Sequence, residues 1–328
     1  MNTMPLNLPH EDTANPAPLL FDVLRKQIRA KRFSLRTEKA YVLWAERLIR
    51  FHPKLHPKEM GAKEVEAFLA HIDSTIGFSL STQQQALAAL AFLYREVLGM
   101  DLPGLDTLPR PKKPQRIPVF LTPQEVETIF AHLEEKHHLP ARLLYGTGMR
   151  LMECVRLRVK DVDFDTQEIF LHDTKGNLDR VVPLPLSLLP ALREQAQQAS
   201  RLWQEDRRQN IPGVFVPPEL EREDPNLGEE WDWFWVFPSP SLSTEPRTGH
   251  THRPPRHEQS LQRAIRRAMT KAGISQYAST NTLRHSFAME YLRSGYDIHS
   301  LRKLLGHADV YATKLYTRLL EAGGNPAA

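Results

Sequence analysis

The residues with the most chemistry to offer lie near the C-terminal end. Asn281-Thr282-Leu283-Arg284-His285-Ser286-Phe287-Ala288 opens one helical segment, and Leu304-Leu305-Gly306-His307-Ala308-Asp309 closes the next. Tyr316 follows in KLYTRLL, while Arg150 stands far upstream, just after the glycine break of YGTGMR. A tyrosine hydroxyl, with an ordinary pKa of about 10, is a poor nucleophile. It needs guanidinium groups around it and a phosphorus atom held in line. Arg150 and Arg284 can grip the two non-bridging oxygens of a phosphate through bidentate forks and neutralise charge in the transition state. A lysine in a hairpin turn, Lys175 of Lys175-Gly176-Asn177, can protonate a leaving sugar oxygen. Arg150 alone reads as structural, since an isolated arginine is usually not catalytic; the C-terminal cluster makes the difference. No carboxylate cluster for magnesium accompanies these segments, so no metal and no cofactor is expected.

Several elements must position these groups. Leu20, Val23, Leu24 and Ile28 recur at helical spacing, as do Tyr41, Trp44, Ala45 and Leu48, so residues 18–100 read as a helical domain. Ser34 and Thr37-Glu38 mark the start of its second helix, and Ala86–Leu98 forms another that Gly99 closes. Residues 101–116 hold prolines with Arg110, Lys112, Lys113 and Arg116, which predicts an extended basic linker. The second domain, 117–328, opens on Thr122 as N-cap with Pro123 behind it. Helices are expected to about His132, across Ala141–Arg158 with a break at Gly146-Thr147-Gly148, and over Ser260–Gly273, Asn281–Gly295, Ile298–Leu305 and Val310–Leu320. Val162–Phe164, Glu168–His172 and Arg180–Leu184 read as strands. Residues 200–257 read as irregular, and the alternating run WDWFWVF suggests a half-buried strand. The fold class expected is mainly α with a small antiparallel sheet.

The chain has 328 residues, 41% hydrophobic and 25% charged, which suits a globular protein of two domains. No apolar run approaches the ~20 residues that span a bilayer. The first 17 residues lack the basic start and apolar stretch of a secretory signal and read as a disordered lead. Cys154 is the only cysteine, which rules out an intrachain disulfide, fits a reducing cytoplasm and excludes a thiolate-rich zinc site. The net charge is only +4. Residues 205–232 are strongly acidic, however, and both halves are mildly basic without them, compatible with a nucleic-acid partner. Arg25, Lys31, Arg32, Arg36 and Lys39 gather around the first inter-helix turn; singly they are solvated surface, and as a group they suit a phosphate backbone.

GTGMR, TLRHSFA, LLGHAD and the following tyrosine together resemble the tyrosine recombinase (phage integrase) family, over residues 18–320. The resemblance implies a helical core-binding domain and a catalytic domain forming a C-shaped clamp on DNA. It implies Tyr316 as nucleophile, leaving a 3′-phosphotyrosyl bond and a free 5′-hydroxyl, with Arg150, Arg284 and His307 on the phosphate and Lys175 as acid. It also implies a tetramer on DNA, no need for ATP, no membrane, and a bacterial cytoplasmic setting. Most relatives lack the segment at about 203–257. Its wording resembles the extra segment of integron integrases, which exchange gene cassettes at folded single-stranded hairpins with extruded bases. In that setting Trp231 or Trp233 stacks on a base while the other rings form the insert's core, and Arg253 touches DNA.

The sequence departs from the family pattern in places. Asn281 stands where relatives carry histidine, and an amide holds a hydrogen bond but exchanges no proton near neutral pH. Arg253 is followed by two prolines where relatives of the insert carry histidines. Adjacent helical residues diverge by about 100°, so His285 is assigned a structural role beside Arg284. Glu153, one turn after Arg150, reads as its orienting partner or as a surface acid. Two alternatives stay open: an integrase relic that only binds DNA hairpins, and a type IB topoisomerase-like strand transferase.

Overall fold

The computed structural model describes residues 17–76, 80–101, 118–172, 179–244, 249–274 and 278–321. The chain divides into two compact units, Met1–Gln115 and Arg116–Ala328. The basic linker residues Lys112, Lys113 and Arg116 and the hairpin lysine Lys175 lie outside the described residues. Among the described residues, no helix is long and apolar enough to cross a membrane.

The first unit is helical: α1 (Ala17–Ala30), α2 (Leu35–Phe51), α3 (Ala62–Ile76) and α4 (Leu80–Phe92). Ser34 caps α2 by accepting from the Thr37 N–H, which satisfies a donor the helix cannot use itself. Glu38 is buried and takes both Nε and Nη2 of Arg29, at 3.0 and 2.8 Å. α4 runs on into a wider π turn at Leu93–Leu98, and Gly99 closes it in the left-handed region. Leu24, Ile28, Trp44, Leu48, Phe68, Leu90 and Tyr94 form the core of this unit.

The second unit opens with α5 (Pro123–Ala131), whose Thr122–Glu125 capping box is complete. α6 (Glu135–Thr147), α7 (Leu151–Val155) and a small antiparallel sheet follow. Its strands β1 (Val162–Asp163), β2 (Glu168–Leu171) and β3 (Arg180–Pro183) lie in the order β1-β2-β3, with Ile169 opposite Val182. Ile169, Leu171 and Val182 enter a core shared with Phe130, Leu144, Met149, Ile265 and Leu283.

Residues 200–257 are more regular than their composition suggests. α8 (Leu189–Arg208) carries twenty residues and reaches well into this segment. α9 (Pro218–Glu223) and a short pair, β4 (Ser243–Thr244) with β5 (Thr251–His252), follow. The WDWFWVF run is not an alternating strand. Trp231–Trp233 form one 3-10 turn, and Phe234, Trp235, Val236 and Phe237 are buried in succession. Both faces are covered because Trp235 pairs with Arg158 on one side while Val236 and Phe237 join the main core.

The chain closes with α10 (Glu258–Lys271), α11 (Thr280–Arg293), α12 (Ile298–Leu305) and α13 (Tyr311–Glu321). A separate apolar cluster of Phe120, Ala288, Met289, Leu301, Leu305 and Tyr316 ties α11, α12 and α13 together.

Candidate active site

Each functional side chain is presented by the end or the face of one of these elements. α6 stops at Gly148, which adopts φ +64°, and a Cβ there would sit 2.3 Å from Phe287. The position therefore requires glycine on two counts, conformation and space. The chain then turns at Arg150, the N-cap of α7, whose N–H donates to Glu153 over 2.6 Å. α12 ends at Gly306, again left-handed at φ +60°, with Arg180 packed where a side chain would grow.

Three arginines converge on that helix end. The carbonyls of Leu304, Leu305 and Gly306 accept from Arg180 Nε at 2.6 Å, Arg284 Nη2 at 2.5 Å and Arg150 Nη2 at 2.9 Å. These are carbonyls that a helix leaves without internal partners, and they carry the partial negative charge of its dipole. The C-terminus of α12 is thus what allows three cations to gather. Among the described residues Glu153 supplies a carboxylate here, bridging Arg180 (2.8 and 2.7 Å) and Arg150 (2.9 Å). Burial pushes its carboxyl up, but the bonds and charge of Arg180 and the bonds from Arg150 outweigh burial and hold it below the usual carboxylate range. Among the described residues, three guanidiniums thus gather around the Glu153 carboxylate at the end of α12, a concentration of positive charge of the kind that draws anions.

Arg284 is buried and bonded to the Gly148 carbonyl at 2.6 Å, as well as to Leu305. Burial, then the neighbouring Arg150 charge, lower its pKa to about 10, so it stays charged at neutral pH. His307 lies 3.2 Å from Arg284 Nη2 through Nε2 and 2.9 Å from Thr313 Oγ1 through Nδ1. A guanidinium only donates, so Nε2 accepts and the ring proton sits on Nδ1, donating to Thr313. Burial first, and the charges of Arg284 and Arg150 next, pull His307 down to about 4. Tyr316 on α13 is only 3% exposed. Burial raises its pKa and the Arg284 charge partly offsets this.

The structure brings Arg150, Arg284, His307 and Tyr316 into one electrostatic neighbourhood. Asn281 is exposed on the first turn of α11. Two participants were not evident from spacing. Arg180 opens β3 and is the hub between α7 and α12; nothing local to the sequence distinguishes it from a strand-edge arginine. His285, expected to be structural, contacts the candidate nucleophile: its Nδ1 lies 2.7 Å from the Tyr316 hydroxyl. The divergence from Arg284 along the helix is real, and its consequence is that Arg284 faces Gly148 and Leu305 while His285 faces α13. Glu153 proves to be a buried bridging acid rather than a surface one.

The expected nucleic-acid contacts divide. Arg32, Arg36 and Lys39 are exposed at the corner between α1 and α2. Lys31 pairs with Glu96 at 2.7 Å and Arg25 with Asp22 at 3.4 Å, both near the surface. Trp231 and Trp233 are half-buried. Trp231 packs on Phe234 and Trp203, while Lys160 Nζ stands 3.5 Å from the Trp233 ring centre. Arg253 is a correction: it is buried and forks onto Asp206 of α8 at 2.5 and 2.6 Å, with the Ser239 and Pro240 carbonyls completing its bonds. A guanidinium so enclosed anchors the insert and presents no face to DNA.

Both units of the chain are similar to known proteins. Residues 119–322 match the profile of the phage integrase family, and residues 20–104 match the phage integrase N-terminal SAM-like domain. The chain is 49% identical over 305 residues to an integrase/recombinase of Escherichia coli, covering 93% of this chain and 90% of the relative. Tyrosine recombinase XerD of Rhizobium meliloti is 28% identical over 281 residues, covering 80% of this chain and 78% of the relative. Among solved structures, a lambda integrase dimer bound to a COC′ core site superposes with a TM-score of 0.61 at 16% identity, covering 91% of this chain and 94% of that one. The mainly helical fold with its small antiparallel sheets is the fold of those recombinases. The chain belongs to the phage integrase family, the tyrosine recombinases, which are DNA strand transferases.

Proposed function

We propose that the protein is an integron integrase that integrates and excises gene cassettes, cutting and rejoining DNA through a 3′-phosphotyrosyl link to Tyr316. The observation that carries the reading is the convergence of Arg150, Arg284 and His307 at the end of α12, beside Tyr316. Arg150 and Arg284 take the non-bridging oxygens of the scissile phosphate and offset the charge that grows on them. Tyr316 attacks phosphorus, and Lys175 protonates the departing 5′-oxygen. The 5′-hydroxyl of a partner strand then attacks the phosphotyrosyl bond, so bond energy is conserved without ATP. Asn281 holds a phosphate oxygen by hydrogen bonding. Synapsis of two sites uses four protomers.

The insert supports the cassette reading. It is a folded subdomain, locked by Arg253 on Asp206, and it keeps Trp231 and Trp233 half-exposed at its surface. Stacking of an extruded base on such a ring contributes about 1–3 kcal/mol. The corner of α1 and α2 and the basic linker supply the phosphate-backbone contacts.

The test is covalent trapping. The protein is mixed with a labelled, folded single-stranded cassette-site hairpin nicked beside the cleavage point, with Tyr316→Phe as control. A detergent-stable adduct absent from the control is the expected result. A band shift without any adduct would leave a hairpin-binding relic, and relaxation of a plasmid lacking attachment sites would indicate a topoisomerase.

A further inference from the structure

Tyr316 carries a chemical problem that the arginines do not solve. Its side chain belongs to the buried apolar cluster of Phe120, Met289, Leu301 and Leu305, and burial raises its pKa in spite of Arg284. A phenol in that setting does not ionise ahead of reaction; it needs an acceptor in contact as its oxygen bonds to phosphorus. His307 is badly placed for this, since both of its ring nitrogens are engaged, by Arg284 and by Thr313. Asn281 has no acid–base capacity near neutral pH. His285 touches the hydroxyl itself.

Resting on the reading of Tyr316 as the nucleophile, we propose that His285 is a catalytic residue, the proton acceptor that activates Tyr316 through Nδ1. Three observations support it. The 2.7 Å contact is within hydrogen-bond reach without any rearrangement. The pairing is built by the fold, because His285 and Tyr316 sit on α11 and α13, which share an apolar cluster. Burial and the adjacent Arg284 charge hold the His285 pKa at about 4, so the ring is neutral and able to accept at neutral pH. Around the ring stand Arg284 on its own helix, Tyr316 on α13 and His307 beyond α12. A bound phosphate at Arg284 brings negative charge beside the imidazole and makes it a better base at the moment it is needed.

The step balances. His285 begins as the Nε2–H tautomer. The Tyr316 oxygen forms its bond to phosphorus while its proton passes to Nδ1. The bond from phosphorus to the 5′-oxygen breaks, and that oxygen takes a proton from the acid assigned to Lys175. In resealing the order reverses: the incoming 5′-hydroxyl gives its proton to the amine assigned to Lys175, neutral after the first step, and the departing tyrosine recovers one from His285.

The experiment is single-turnover cleavage of the nicked site by the full chain. His285→Asn keeps an acceptor atom near the Nδ1 position but cannot take up a proton. It is expected to bind DNA as the wild type does and to form adduct about 10²-fold more slowly. Replacing Tyr316 with fluorotyrosines of progressively lower pKa is then expected to recover most of that loss, since a more acidic phenol needs less help. A residue that merely packed against Tyr316 would show no such dependence. Wild-type rate in His285→Asn, or a deficit unchanged across the fluorotyrosine series, overturns the assignment; His285→Gln, read the same way, guards against a folding defect in one variant. Absence of adduct from the wild type itself would instead sink the reading of the chain as a recombinase.

Discussion

Arg284 and Arg253 are both buried arginines of the second unit, 6% and 7% exposed, and they are held in opposite ways. Arg253 faces Asp206 in a two-pronged ion pair, so its charge is neutralised where it stands. Arg284 is held by the carbonyls of Gly148 and Leu305 and by His307, with no carboxylate among those partners. Carbonyls fix a guanidinium in place without cancelling its charge. One arrangement makes a structural clamp, and the other leaves a fixed, uncancelled charge of the kind the proposed function needs for a phosphate. Burial alone does not separate structural from chemical arginines; the partner does.

Four experiments sharpen or break this contrast. Arg253→Gln leaves Asp206 buried and unpaired, which costs about 3–5 kcal/mol of folding stability. Denaturant unfolding measures it, and cleavage per folded molecule on a linear nicked duplex should hold steady. Weakened DNA binding with unchanged stability would return Arg253 to the DNA surface. Arg284→Gln should do the reverse, slowing single-turnover cleavage by about 10²–10³-fold, some 2.7–4 kcal/mol of barrier, by analogy with loss of one oxyanion donor. Equal losses of stability and none of rate would make the two arginines alike.

The site also carries a pH signature. His307 titrates at about 4 when folded, against 6.5 when unfolded. Below pH 6.5 the unfolded chain takes up a proton that the folded chain refuses, so stability is full above 6.5 and falls as pH drops toward 4. A shift of that size corresponds to about 3 kcal/mol. Unfolding midpoints between pH 7 and 4 measure the slope, and His307→Asn should reduce it without abolishing it, since His285, also held at about 4, carries a slope of the same sign. A slope identical in the variant would show that His307 does not carry it. The smallest effect belongs to Asn281→His, which puts a proton-exchanging group at the position the proposed function assigns to a phosphate contact and should raise cleavage by about 10²-fold, the low end for one acid–base group. No gain would show that position 281 serves only by hydrogen bonding.

Much of the catalytic unit was legible from local signals. The Thr122–Glu125 box, the glycine stop after α6 and the start of α11 each follow from what neighbouring backbone groups require. Spacing also singled out Arg284, His307 and Tyr316, because each lies on or just beyond its own helix. The insert was less legible. Its polar, proline-rich composition hid the end of α8, and its aromatic run is buried on both faces because two different cores claim it.

The sequence by itself determined the capped and glycine-stopped helix ends, the positions of β2 and β3, and the residue types available for phosphate chemistry. Those follow from forces acting within a few residues. The tertiary structure decided which side chains meet. Arg180 reaches Glu153 and Leu304 from positions 27 and 124 residues away. Arg253 finds Asp206 across 47 residues and His285 finds Tyr316 across 31. No periodicity encodes those distances, since a guanidinium or an imidazole takes its role from the charge and hydrogen bonds that folding places against it.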